Sequence, residues 1–359
     1  LSRAMNAPAT PPAPTSIFSE TQRPNDTWLA LAKQEPALEP ELPIVDPHLH
    51  FWHHKSGYRY FVEEFGRDAA ESGHNIEATV FVECNAMYRS TGPEHLKAVG
   101  ETEFAVGMAA MAASGKYTTA RAAAGIVAYA DLTQDEGLLR EALEAHREAA
   151  NGRLRGIRQR AKWDADPVVA GPVRAGKRGL FLEPEFRRGL EVIAKMGLSF
   201  DASIFHPQLP EVVSLAQANQ EASIVVIHTA SPLGFGGYAG QEKQVHADWR
   251  AGMSELARCP NVSVKMGGLL MCLGNFDFSR AEAPPTSEQL ATLWRPYIED
   301  CVELFGADRC MVSSNFPVEK AGVTYGATWN MFKRLCAGCS ADEKKKLFAG
   351  TAKRIYHLD

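Results

Sequence analysis

No stretch of this chain approaches the ~20 consecutive apolar residues of a membrane-spanning helix, and no basic start followed by an apolar core marks a secretory leader. The expectation is a cytoplasmic protein with no membrane partner. No Gly-x-Gly-x-x-Gly follows an apolar run and no Walker sequence is present, so nucleotide-binding folds lose their usual signature. Excess charge is missing too: 38 Lys and Arg against 43 Asp and Glu leave a net charge of −5, which gives no whole-chain attraction for nucleic acid. Cysteine forms no framework. Cys84, Cys259, Cys272, Cys301, Cys310, Cys336 and Cys339 are odd in number and scattered, which argues against a disulfide scaffold. Cys336-Ala-Gly-Cys339 has CxxC spacing without a second pair and reads as ordinary reduced thiols at a helix end.

What is present is alternation. Apolar runs of strand length recur at 44–50, 77–84, 125–131, 154–160, 198–205, 224–228, 261–266 and 309–315, eight in all. Stretches of helical period separate most of them, at 136–149, 185–196, 209–220, 246–258 and 287–305. Strand-helix alternation favours parallel pairing through crossovers, and eight units favour closure over an open sheet. The predicted fold is α/β, a (β/α)8 TIM barrel, with 359 residues leaving room for insertions beyond the ~250 of a minimal barrel. Residues 1–27, rich in Pro, Ala and Thr, predict a disordered or surface-draped N-terminal arm, and 28–359 a single barrel domain. Three segments, 51–76, 231–245 and 267–286, are too long or too rich in Gly and Pro for plain connections. Each follows a strand, so each is expected over the C-terminal face, the latter two as walls or lid of a pocket.

Buried strands end in bland residues unless a site is being built there. The first run carries Asp46, His48 and His50 on one face, because alternate strand side chains point the same way. Others end in Glu83, in Arg158 and Arg160, in His206, in His228, in Lys265, and in Ser313, Ser314 and Asn315. In a barrel these ends converge on one bowl. Asp46 reads as a buried acceptor orienting a neighbouring histidine. Glu83 is either the buried partner of a basic residue or a general base. Arg158, Arg160 and Lys265, with Tyr238, are placed to grip a carboxylate or hydroxyl of a small-molecule substrate, although ion pairing within the barrel mouth accounts for Arg158 and Lys265 equally. His53 and His54 read as members of a solvated loop. No element fixes the oligomeric state, and a homo-oligomer stays open.

Taken in order, Asp46-Pro-His-Leu-His50-Phe-Trp, Arg155-Gly-Ile-Arg158, Phe205-His-Pro-Gln-Leu-Pro210, Val226-Ile-His228, Val264-Lys-Met-Gly-Gly268 and Ser314-Asn-Phe-Pro-Val-Glu319 resemble the lactonase branch of the amidohydrolase superfamily. The likeness runs from about residue 42 to the closing segment Leu347–Tyr356. It implies a barrel that opens a lactone by histidine-assisted water attack, with His48, His50, His206, His228 and Asn315 catalytic. It also implies either no cofactor or one divalent metal, Zn or Mn, on His48, His50 and His206. Asn315 stands where the superfamily often has Asp; an amide orients a water but takes no proton at neutral pH. On the same barrel a metal-dependent decarboxylase or hydratase of an aromatic or unsaturated acid is the alternative, and a non-catalytic binding relative the third.

Overall fold

The computed structural model describes residues 23–170, 176–272 and 281–358. Eight strands form one sheet: β1 (Ile44–Leu49), β2 (Ile76–Val82), β3 (Arg121–Ala128), β4 (Leu154–Ile157), β5 (Ser199–Ala202), β6 (Ile224–Val226), β7 (Val262–Met266) and β8 (Cys310–Val312). Each pairs in parallel with the next in chain order. The sheet curls until its edges meet, where Leu49 bridges Phe316 in parallel. The eight-stranded barrel expected from the alternation is therefore the observed fold.

Helices form where caps and periodicity agree. In Glu136–Ala149 the Asp135 carboxylate accepts from Gly137 N–H at 2.8 Å, and Leu139, Ala142, Leu143 and His146 turn one stripe inward. Ser287–Phe305 begins on a capping box of Thr286 with Gln289. Two helices were not expected, although the first has both a stripe (Val62, Phe65, Ala69) and a left-handed Gly73 stop. Val62–Ser72 lies within the segment read as a loop, behind a small hairpin pairing Trp52–His53 with Arg59–Tyr60. Val99–Ala113 is built largely of Ala, Gly and Met, so its apolar residues fall all round and no stripe stands out. Several strands also stop short of their apolar runs, as at Ile157 and Val312, because the residues beyond leave the ladder to form the rim.

Inside the barrel, Val45, Val80, Val82, Val127, Val225 and Met311 pack with Tyr356 from the C-terminal helix. A larger apolar layer separates the sheet from its helices. Of the arm expected over 1–27, residues up to 22 lie outside the described residues. Asn25 then caps a helical turn, Asp26–Leu29, and Trp28 Nε1 donates to the Ala281 carbonyl at 2.8 Å.

The seam between β1 and β8 is held at its rim. Asn315 N–H donates to the His48 carbonyl at 3.0 Å, and His50 N–H to the Phe316 carbonyl at 2.8 Å. Behind them the buried Asp46 carboxylate accepts from Ser314 N–H at 3.0 Å, Ser314 Oγ at 2.5 Å, Tyr325 OH at 3.1 Å and His48 N–H at 3.3 Å. Burial pushes this carboxyl up to about 6, against the pull of those donors. Asp46 thus organises backbone and hydroxyls across the seam rather than orienting an imidazole. Replacing Asp46 by Ala orphans buried donors and should cost about 3 kcal/mol or more in urea unfolding. Asp46→Asn should cost less than half of that, since its oxygen still serves the two backbone N–H groups and the hydroxyls can rotate. Equal losses for the two variants would reject this account.

Candidate active site

β1 delivers both histidines of its exit to one face. The His48 and His50 rings lie 5.0 Å apart, centroid to centroid, nearly perpendicular, and His228 from the end of β6 lies 4.5 Å from His48. All three are buried. His50 Nδ1 lies 2.7 Å from the Val82 carbonyl, so Nδ1 must carry the proton, leaving Nε2 an acceptor. The Nδ1 atoms of His48, His206 and His228 are buried without a hydrogen-bond partner. In a polar cleft such atoms are completed by water or a bound molecule.

His228 starts a run of left-handed backbone: φ is 54° at His228, 50° at Thr229, 59° at Ala230 and 46° at Ser231. Non-glycine residues there cost about 1–3 kcal/mol each. The turn is braced by Ser231 N–H to the His228 carbonyl at 2.7 Å and by Trp249 Nε1 to the Thr229 carbonyl at 2.6 Å. Gly268, at φ 63°, presses directly on the His228 ring, and a Cβ there would overlap it. Gly267 lies as close to the Ser313 carbonyl.

The charges are arranged around Glu83. Its buried carboxylate pairs with Arg158 Nε at 2.7 Å and with Arg160 Nε and Nη2 at 3.2 Å each, while Arg158 Nη2 reaches the Glu83 carbonyl. Burial alone would raise the Glu83 carboxyl, yet the two guanidinium groups outweigh it and hold the acid below its ordinary value. Of the two roles open for Glu83, the geometry is that of the ionised partner. Two cations on one anion leave one unit of positive charge. Arg158 Nη1 lies 3.4 Å from His48 Nε2 and puts that charge among the imidazoles.

Lys265 is paired with an acid rather than open to solvent. It is wholly buried inside the barrel, 2.6 Å from Asp201 Oδ2 and 4.7 Å above the Tyr356 ring, whose hydroxyl donates to Asp201 Oδ1 at 2.8 Å. Of the two roles open for Lys265, the geometry is that of the ion-pair partner, and its charge still bears on His48 and His228. Tyr238 donates to Asp164 Oδ2 at 2.7 Å, its ring 5.4 Å from His206, while Gly237 N–H donates to Asp166 Oδ2 at 2.7 Å. The segments after β4 and β6 are thereby clasped over His206. Of the wall expected at 267–286, residues 273–280 lie outside the described residues.

Three site neighbours escaped the sequence reading. Asp164 and Asp166 carried no strand-end signal. Lys162 did carry one, since it continues the two-residue period of Arg158 and Arg160; its ammonium lies 5.2 Å from the Phe205 ring. Burial pushes the His228 imidazole well below its ordinary value, and the positive charges of Lys162 and Arg158 push it further. Burial likewise takes His48 well below, His50 to about 3 and His206 to about 4. All four imidazoles are neutral at pH 7.

A divalent ion fits this arrangement poorly. No three His, Cys, Asp or Glu side chains among the described residues converge as a ligand set. His48 Nε2 faces the fixed Arg158 cation, which would repel a metal bound there.

Comparison with known proteins identifies the family. Residues 45–358 match the model of the Amidohydrolase family, and the chain belongs to it. An uncharacterised Sinorhizobium fredii protein, y4mH, is 30% identical over 331 residues, 89% of this chain and 99% of that one. An L-fucono-1,5-lactonase of Burkholderia ambifaria is 26% identical over 181 residues, 49% of this chain and 56% of its own length. A zinc-bound amidohydrolase structure from Burkholderia multivorans aligns over 88% of this chain and 99% of its own, with a TM-score of 0.67 and 23% identity. That likeness is one of fold.

Ring-resolved NMR titration should show none of the four site imidazoles gaining a proton above pH 5; a site histidine titrating above 6 would contradict the burial argument. Because each holds its proton less tightly folded than unfolded, their contribution to stability is complete above about 6.5 and erodes as the pH falls below it.

Proposed function

We propose that this chain hydrolyses a small anionic lactone. The observation that carries the reading is the charge state of the bowl: neutral imidazoles packed against an arginine pair that shares a single carboxylate. Such a site is poor at holding cations and well suited to a carboxylate and to the oxyanion of ester hydrolysis. The partial likeness to fuconolactonase supports the same reaction class.

Arg158 Nη1, beside His48, stabilises the negative charge developing on the lactone carbonyl. His50 serves as an acceptor through Nε2 and orients the attacking water with Asn315, because its Nδ1 proton is committed to Val82. His228 takes the proton of the water and returns it to the leaving alkoxide, with His206 assisting. Its basicity is suppressed in the free protein by burial and by Lys162 and Arg158. A bound anion offsets those cations, so the substrate's own charge helps make His228 a competent base. Arg160 and Tyr238, on the rim, hold the substrate's carboxylate or hydroxyl groups.

A panel of carboxylate-bearing and neutral lactones, read by acid release, tests this. Turnover should favour the carboxylates, and His228→Ala should lower the rate about 10²-fold or more. Preference for neutral lactones would reject the charge argument. Carbon dioxide released from aromatic acids, with no lactone opened, would replace hydrolysis by decarboxylation.

A further inference from the structure

Glu319 enters neither the sequence-based site nor the steps above. It lies one turn beyond Asn315 and is buried. Asn315 itself is buried at the barrel exit with φ 55°, its Nδ2 donating to Glu319 Oε1 at 3.1 Å. A carboxylate can only accept, so this contact forces the amide's orientation: nitrogen toward Glu319, oxygen away. The other carboxylate oxygen, Oε2, accepts from Leu270 N–H at 3.1 Å. Leu270 stands two residues after Gly268, the glycine pressed against the His228 ring. Glu319 N–H donates in turn to the Asn315 carbonyl at 3.3 Å, closing the turn on itself.

One buried carboxylate therefore sets the face Asn315 presents and ties down the segment that backs His228. We propose that Glu319 is a positioning residue of the active site, and that it requires an amide rather than an acid at position 315. The proposal rests on the reading of Asn315 and His228 as groups of a lactone hydrolase. Asn315 Nδ2 and Leu270 N–H donate to the Glu319 carboxylate from two sides, whereas an Asp at 315 would set a second anion about 3 Å away in a buried place, where both cannot ionise. Inverting the polarity would restore both bonds. A Gln at 319 donates to an Asp at 315 through its nitrogen and still accepts from Leu270 through its oxygen. With Asn315 unchanged, the same Gln satisfies only one of the two donors.

The full-length protein carrying Asn315→Asp, Glu319→Gln or both tests this, by melting temperature and by lactone kinetics. Asn315→Asp should lower the melting temperature by about 5 °C and kcat/KM about tenfold. Glu319→Gln should lower kcat several-fold with KM changed less, which mere packing support would not do. The double variant should recover more than half of both losses and exceed either single variant. Simple addition of the single effects in melting overturns the pair. Wild-type kcat in Glu319→Gln overturns the positioning role. No lactone turnover by the wild type defeats the functional reading and the positioning role with it, while the melting cycle still decides the pair.

Discussion

The barrel closes through residues of the proposed active site. A parallel sheet of eight strands needs its last strand to meet its first, and here that edge is made at the rim by the backbones of His48, His50, Asn315 and Phe316. Asp46 lies behind the join and gathers Ser314, Tyr325 and the His48 amide on one carboxylate. Loosening this seam would separate Asn315 from the paired histidines as well as open the sheet. Stability and site geometry are in this sense a single constraint, and an ionisable group, not apolar packing, enforces it. Apolar residues would fill the same space, but they would not fix the register of two strand ends to within a hydrogen bond.

Ionised groups elsewhere in the interior follow the same logic with different outcomes. Lys265, Asp201 and Tyr356 satisfy one another inside the barrel and leave little unspent polarity there. Glu83 with Arg158 and Arg160 is deliberately unbalanced and opens its surplus charge toward the imidazoles. Burial keeps all four histidines neutral, and that surplus adds to the effect at His48, His50 and His228. Neutral imidazoles keep both a donor and an acceptor, which is the state a proton shuttle needs before substrate arrives.

Much of this was legible in the sequence. Eight apolar runs and the strand-end positions of His48, His50, His228, Arg158 and Glu83 specify the fold and most of the bowl, because buried strands expose a period that polar residues interrupt only for a reason. Lys162 was within reach of the same rule, two residues past Arg160, but its strand ends at Ile157 and the extended backbone continues without a full ladder. Lys265 was open to two readings because a strand-borne lysine looks the same whether it grips a substrate or pairs with an acid inside the barrel; only the Asp201 opposite decides. The Val99–Ala113 helix hid behind small residues that give no stripe. Asp164 and Asp166 act through contacts between distant segments, and Glu319 joins distant Leu270 to nearby Asn315; no local pattern encodes the distant contacts.

The left-handed turn after β6 shows how the remaining precision arises. Four successive non-glycine residues at positive φ are costly, and a structure tolerates them only where neighbours over-determine the path. Here the Trp249 indole holds one carbonyl of the turn, and Gly268 removes the one side chain that would push the His228 ring away. Gly268 in turn belongs to a segment anchored at Leu270 by Glu319, which also holds Asn315. The strained histidine, the bare glycine, the buried acid and the amide are thus links of one chain running from β6 through β7 to β8. Gly268 meets the His228 ring directly, while Trp249 and Glu319 bear on it through the backbone they hold.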